Sequence, residues 1–315
     1  MRVTRDGGVF TATPERPGDR LRLVLLISDD PQQRYLRDVL AARFEVAAVV
    51  VEPSAAQQRR LRVTRRWRAY LWRGYQILRQ RLTGRAAYRR SYFRAASVAA
   101  SRTAPAHGDA GRRRPSVLTV DWINAPAVRA LLDDVRPDVL VVCGTSYIRP
   151  GTIAGPPLAI NVHGGVLPWY RGNHGVYFAF EAGDFARVGA SLHLVTADLD
   201  GGELLDVVRP PFRPGDQDER LYCRAFRAAT RRLEALLARL EQGGPLPVRP
   251  QSVRTTPYRH RDRTPWRELR LLWRRLTGAH APLAGAGSGD AFYGDRGETV
   301  GEGEECHVQG PDDHP

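Results

Sequence analysis

The 315-residue sequence contains no lysine: all 48 basic residues are arginine, set against 34 acidic ones for a formal charge of +14. Without a lysine amine there is no Walker-type phosphate lysine, no pyridoxal Schiff base, no kinase lysine and no lysine nucleophile. So complete a bias is explained by nucleotide composition more easily than by selection for a polyanionic partner, and the charge argues only weakly for nucleic acid. Cysteine is scarce as well. Cys143, Cys223 and Cys306 are odd in number and scattered, without a CxxC pair, which excludes a disulfide framework and points to a reducing, cytoplasmic setting. No stretch approaches the roughly 18 apolar residues of a membrane span, so no transmembrane segment is expected. The first twenty residues lack the apolar segment of an export signal, and residues 1–19 read as a flexible N-terminus.

Glycine is missing where a dinucleotide site would need it. Residues 20–28, RLRLVLLIS, form an aliphatic run, DPQQRYLRDVLAARF reads as a helix, and EVAAVVVEP is a second aliphatic run. This is a β-α-β opening, with strands apolar along their length as parallel strands buried on two faces are. The turn after the first run is SDDPQQ, which lacks the glycines that let backbone approach a pyrophosphate, so NAD or FAD is not expected there. Acidic residues are then absent from Ser54 to Gly108, while arginines crowd between Arg59 and Arg94. Trp67, Leu71, Tyr75, Leu78 and Leu82 recur at helical spacing, so residues 54–116 read as a basic helical insertion whose apolar stripe packs on the main domain. The alternative is a basic face that holds phosphate, RNA or anionic lipid.

Residues 102–114 read as a loop. Regular structure resumes with the helix APAVRALLDDV and the strands DVLVVCG, LAINVHGG, VGASLHLVTA and ELLDVVRPP, closed by an amphipathic helix over residues 216–242. Beyond Pro250, Trp266, Leu269, Leu272, Trp273 and Leu276 predict one short amphipathic helix, capped at Thr264-Pro265 and docked on its own domain. The fold class is α/β. A catalytic domain over residues 20–250 carries a mostly parallel twisted sheet and the insertion; residues 251–278 are a helical extension and 279–315 a disordered tail.

The segment AINVHGGVLPWYRGNHG, residues 159–175, carries the chemistry. Asn161 and His163 are two apart on a predicted strand and leave it on the same face. A buried amide and imidazole are costly there unless satisfied or used. Gly164 and Gly165 let backbone turn and admit a ligand, at the end of a strand where open α/β sheets place ligands. Asp200 comes thirty-seven residues after His163, in TADLDGGELL, which puts Asp198 and Asp200 before two more glycines. Asn161 donating to a developing oxyanion, His163 exchanging a proton and Asp200 holding the imidazolium would suit acyl transfer without an enzyme nucleophile. His193 reads as a satisfied core histidine, His174 as equally a site-lining or a capping residue, and Asp198 as a turn former. A metal on His163 and Asp200 lacks a third ligand at sensible spacing, so none is expected.

The order Asn-x-His, then Leu167-Pro168-Trp169-Tyr170-Arg171-Gly172, then Leu199-Asp200-Gly201-Gly202 resembles the folate-dependent formyltransferase family. That family includes glycinamide ribonucleotide, methionyl-tRNA and sugar-amine formyltransferases and a formyl-folate hydrolase. The resemblance covers residues 117–242 well and the opening more loosely. It implies a Rossmann-like domain using 10-formyltetrahydrofolate as co-substrate, with Asn161, His163 and Asp200 catalytic. It places folate against Cys143, Gly144, Thr145 and Ile148 and against Thr196, Ala197, Asp198 and Leu199. Gly164, Gly165, Tyr170, Arg171 and His174 would meet the acceptor, a small-molecule amine such as a nucleotide-linked amino sugar. Gly165-Val166-Leu167-Pro168 departs from the family's Ser-Leu-Leu-Pro and removes a hydroxyl near the reacting centre. Methionyl-tRNA formylation, formyl-folate hydrolysis and a non-catalytic folate-binding module are the alternatives. Against the first, the family's C-terminal barrel needs more ordered chain than residues 250–278. Nucleic acid is thus the lesser partner, and the oligomeric state stays open between monomer and homodimer.

Overall fold

A computed structural model describes residues 1–103, 115–213 and 215–278. The expected loop at 102–114 falls almost wholly outside the described residues, and the expected tail at 279–315, with Cys306, entirely outside them. The chain opens with a hairpin, β1 (Arg2–Asp6) and β2 (Val9–Thr13), so the expectation of a flexible N-terminus is corrected. Val3, Phe10 and Ala12 are buried on one face of that hairpin, three small anchors too sparse to read as strands beforehand. The expected β-α-β unit follows as β3 (Arg22–Ile27), α1 (Pro31–Arg43) and β4 (Glu45–Val51). Next come α2 (Ser54–Val63), α3 (Trp67–Leu82), α4 (Arg85–Thr103) and β5 (Ser116–Thr119). Then follow α5 (Pro126–Val135), β6 (Val139–Cys143), α6 (Pro150–Ile153), β7 (Leu158–His163) and α7 (Gly175–Ala182). The last elements are β8 (Ala190–Leu194), β9 (Leu204–Val208), α8 (Asp218–Glu241), β10 (Leu246–Pro247) and α9 (Pro265–Leu276).

Seven strands form one sheet in the order β5-β4-β3-β6-β7-β8-β9, with parallel pairing from β5 to β7 and antiparallel pairing beyond. β10 pairs with the N-terminal hairpin in a second, small sheet. Alternate residues of the central strands serve two cores: Leu23, Leu25 and Val141 pack under α1, α4 and α8, while Val24, Leu26 and Leu140 pack under α5. After β3 the chain runs outward through β4 and β5 and then returns to place β6 on the other side of β3. That reversal opens a crevice at the carboxyl ends of β3 and β6, the position where doubly wound sheets bind ligands.

The insertion divides in two. α4 belongs to the core: Phe93 is buried with its ring centroid 5.6 Å from Tyr35 of α1 and 5.9 Å from Phe226 of α8. α2 and α3 instead form a wall beside the crevice. The expected packing of the α3 stripe is overturned, because Trp67, Leu71, Leu78 and Leu82 face solvent and the buried residues are Gln76 and Arg79. α9 starts at the predicted Thr264-Pro265 cap, where Thr264 Oγ1 accepts from the Arg267 amide at 3.3 Å, but its apolar face also points outward. In both helices ion pairs and hydrogen bonds made by the polar face decided the docking, which apolar periodicity does not report.

Candidate active site

β7 delivers Asn161 and His163 to the end of the sheet, and the β7/β8 register sets Asn161 opposite His193. Across that pair Asn161 Nδ2 lies 2.9 Å from His193 Nε2. His193 Nδ1 lies 2.8 Å from the Leu194 carbonyl, an acceptor only, so Nδ1 carries the proton and Nε2 accepts from the Asn161 amide. One Asn161 N–H is thereby fixed, which sets the direction of the other. His163 donates from Nε2 to the Tyr170 carbonyl at 2.8 Å, leaving Nδ1 turned toward Asp200.

Asp200 stands between the two imidazoles, 3.6 Å from His163 Nδ1 and 3.6 Å from His193 Nε2. It also accepts the Gly172 amide at 2.7 Å. Burial would push its carboxyl up. The His163 imidazole and the Gly172 amide outweigh that burial and hold it well below the usual carboxylate range. The backbone of Asp200 is left-handed, with φ of 52°, and the following glycines permit the turn: a Cβ on Gly202 would lie 1.9 Å from the Leu194 carbonyl oxygen. Gln251 clamps the same turn by donating to the Asp200 carbonyl at 2.8 Å and the Gly202 carbonyl at 2.6 Å.

These groups open into one cavity of about 1720 Å³, larger than the roughly 300–1,000 Å³ of a single small-ligand site and therefore able to hold two ligands that meet. Cys143, Gly144, Thr145, Ile148, Thr196, Asp198 and Leu199 line it; Ala197 does not, but its carbonyl accepts from the Tyr147 hydroxyl at 2.8 Å and so ties the two loops together. Burial pushes the Cys143 thiol up to about 12, so it stays protonated and is no nucleophile. Gly164 and His174 also line the cavity. Gly164 is pressed against Tyr222, and His174 Nε2 lies 3.0 Å from His260 Nδ1.

Three expected acceptor contacts are corrected. Tyr170 stacks on Tyr258 and donates to Asp184 at 2.9 Å, away from the cavity, because its ring completes the aromatic cluster under α7. Arg171 is spent on the loops: it pairs with Asp198 at 2.7 Å and donates to the Thr255 carbonyl at 3.2 Å and the Leu199 carbonyl. Gly165 is covered, since a Cβ there would meet the Tyr170 carbonyl oxygen at 2.4 Å. Sequence reasoning missed His193 as the residue that orients Asn161, because the β7/β8 register that sets them opposite each other is decided only by the assembled sheet. It also missed Glu52, wholly buried at the end of β4, which accepts the amides of Ile123 at 3.1 Å and Ser146 at 2.7 Å and so props the loop after β6. A carboxylate closing an aliphatic strand was the available signal.

A Rossmann-like α/β domain with an Asn–His–Asp centre at the crevice of its sheet is the class that fold and geometry define. The comparisons narrow it. Residues 100–237 match the family described as Formyl transferase. The methionyl-tRNA formyltransferase of Burkholderia vietnamiensis is 32% identical over 196 residues, 59% of this chain and 60% of that protein. That of Ralstonia nicotianae is 32% identical over 157 residues, 49% of this chain and 47% of the other. The chain thus spans about 60% of the length of the first of these curated relatives. Among solved structures, glycinamide ribonucleotide transformylase 1 from Symbiobacterium toebii aligns with a TM-score of 0.48 at 19% identity, covering 76% of this chain and 99% of that one. A sugar N-formyltransferase from a Shewanella species aligns at 0.44 and 14% identity, covering 75% of each chain.

Proposed function

We propose that the protein is a formyltransferase that moves the formyl group of 10-formyltetrahydrofolate to the primary amine of a small biosynthetic metabolite, an amino sugar linked to a nucleotide being the favoured kind. One observation carries the reading: Asn161, His163 and Asp200, far apart in the chain, converge on a single cavity with the carboxylate facing the imidazole. The loops at 143–148 and 196–199, joined by Tyr147, bound a slot that suits a flat heterocycle, so Cys143, Gly144, Thr145, Ile148, Thr196, Ala197, Asp198 and Leu199 would hold the folate. When bound, that folate supplies the formyl carbon. The chain's own residues supply the rest. The free Asn161 N–H is aimed by His193 to donate to a carbonyl oxygen as it gains charge. His163 exchanges a proton at Nδ1, and Asp200, ionised throughout the working pH range, holds the imidazolium. Gly164 and His174 border the acceptor side.

The test is a mass-gain assay with purified protein, formyl folate and a panel of amino-sugar nucleotides, amino acids and tRNA. A gain of one formyl on a small amine, abolished by Asp200→Asn, is expected; near-normal turnover in that variant refutes the assignment. Transfer to methionyl-tRNA is the second reading, favoured by the names of the curated relatives and by the arginine wall of α2 and α3. A gain on charged tRNA that falls steeply with salt would select it. Formate released without any amine would select hydrolysis.

A further inference from the structure

α3 and α9 are amphipathic helices docked by their polar sides. On α9, Trp266, Leu269, Leu272, Trp273 and Leu276 share one face and are 50–75% exposed. The opposite side holds the helix down. Leu271 is buried, Arg267 donates to Glu181 Oε2 at 2.8 Å, Arg270 pairs with the same carboxylate, and Arg274 donates to the Glu181 carbonyl at 3.1 Å. On α3 the buried residues are Gln76 and Arg79, while Trp67, Leu71, Leu78 and Leu82 are 52–78% exposed. The polar side of α3 also holds α9 and the segment before it: Arg79 pairs with Glu268 of α9 at 2.9 Å, and Gln76 donates to the Arg263 carbonyl at 2.7 Å.

This arrangement is opposite to that of a helix whose outer face meets water. Nine large apolar side chains are left exposed on α3 and α9, two helices linked by the Arg79–Glu268 pair, and call for a cover. Charge identifies the cover. Arg62, Arg65, Arg66, Arg68, Arg81 and Arg275 border these stripes, and none has a carboxylate partner among the described residues. The carboxylates beside them are already committed, Glu268 to Arg79, Arg85 and Arg263 and Glu181 to Arg267 and Arg270. A second copy would bring unpaired arginines against unpaired arginines. RNA would answer the guanidiniums and leave the leucines wet. An anionic bilayer supplies phosphates for arginine, a headgroup layer for tryptophan and acyl chains for leucine.

We propose that α3 and α9 together seat the protein on an anionic phospholipid surface, as a peripheral and not a spanning contact. Among the described residues no helix is long and apolar enough to cross a membrane. Arg62, Arg65, Arg66, Trp67 and Arg68 also line the cavity that reaches Asn161 and Asp200, so the docked face lies beside that cavity. The inference is independent of the transfer reaction and is tested without it.

The experiment is flotation of the full-length protein with vesicles of phosphatidylcholine alone and of phosphatidylcholine mixed with phosphatidylglycerol. Binding is expected only to the anionic vesicles, and it should weaken as salt is raised. The double variant Trp266→Ser/Trp273→Ser should lower the partition coefficient by about tenfold or more. Arg68→Gln/Arg275→Gln should lower it by about fivefold per arginine. Thermal midpoints should stay at the parent value, and Leu71→Gln/Leu82→Gln on α3 repeats the measurement should the tryptophan variant melt early. Equal binding to both vesicle types, binding to neither, or undiminished binding by the variants overturns the proposal. So does light scattering that shows a dimer dissociated by Trp266→Ser/Trp273→Ser, since a second copy would then be the cover. RNA binding without vesicle binding also overturns it.

Discussion

Asp200 is answered by the His163 imidazole and the Gly172 amide, and its ionisation is worth stability as well as chemistry. Its folded pKa lies below the unfolded value of 3.8, so its contribution is complete above about pH 4 and is lost as acid lowers the pH further. Asp200→Asn should therefore melt below the parent at neutral pH, with the difference shrinking below pH 4; a constant difference would contradict the ion-pair account. His193 is a positioning residue that acts through Asn161. Its replacement, His193→Ala, should lower kcat by between about ten- and a hundredfold with KM for the folate little changed. Asn161→Ala should cost on the order of 10² to 10³ in kcat. A rise in folate KM with kcat intact would recast both side chains as part of the folate pocket.

The elements around the site are held by close backbone approach and by buried charge. The β8–β9 turn works because Gly202 lacks a Cβ, so Gly202→Ala must displace the Leu194 carbonyl and should destabilise the fold by about 2 kcal/mol in urea unfolding. The segment before α9 is tied to α8 by Arg263, which donates to Asp218 at 2.8 Å and Glu268 at 2.6 Å with both Arg263 and Asp218 buried. Arg263→Met would leave Asp218 with Arg85 alone and should cost about 3 kcal/mol by the same measurement. A loss near zero would show that Arg85 suffices. These elements differ in how far the sequence revealed them. β3, β4 and β6 to β9 were legible because their apolar runs are short and bounded, and all but the edge strand β9 are largely buried. β5 was not read as a strand, since SVLT is an edge segment with only Leu118 half-buried, and the hairpin was missed for want of apolar alternation.

Across the whole molecule, residues 251–278 complete a structure begun by the domain. His260 contacts His174, and Gln76 of α3 donates to the His260 carbonyl at 3.3 Å. Burial and the nearby Arg73 guanidinium push His260 down to about 4 from 6.5. A histidine kept neutral in this way contributes stability that is complete above pH 6.5 and is lost as the pH falls from there toward 4. The parent should therefore lose thermal midpoint between pH 7 and pH 4.5 more steeply than His260→Asn does. Parallel curves would show that His260 does not couple the extension to acid.

Sequence by itself determined the α/β class, the strand order's raw material and the three candidate groups, Asn161, His163 and Asp200. Local spacing governs those: two residues along a strand share a face, and glycine after an acidic residue permits a left-handed turn. Only the tertiary structure decided that Asp200 faces His163, that Arg171 is consumed in holding loops, and that α3 and α9 dock by their charged sides. Such outcomes depend on which distant carboxylate or carbonyl answers each guanidinium, and that pairing is set by the assembled chain, not by the order of its residues along one helix.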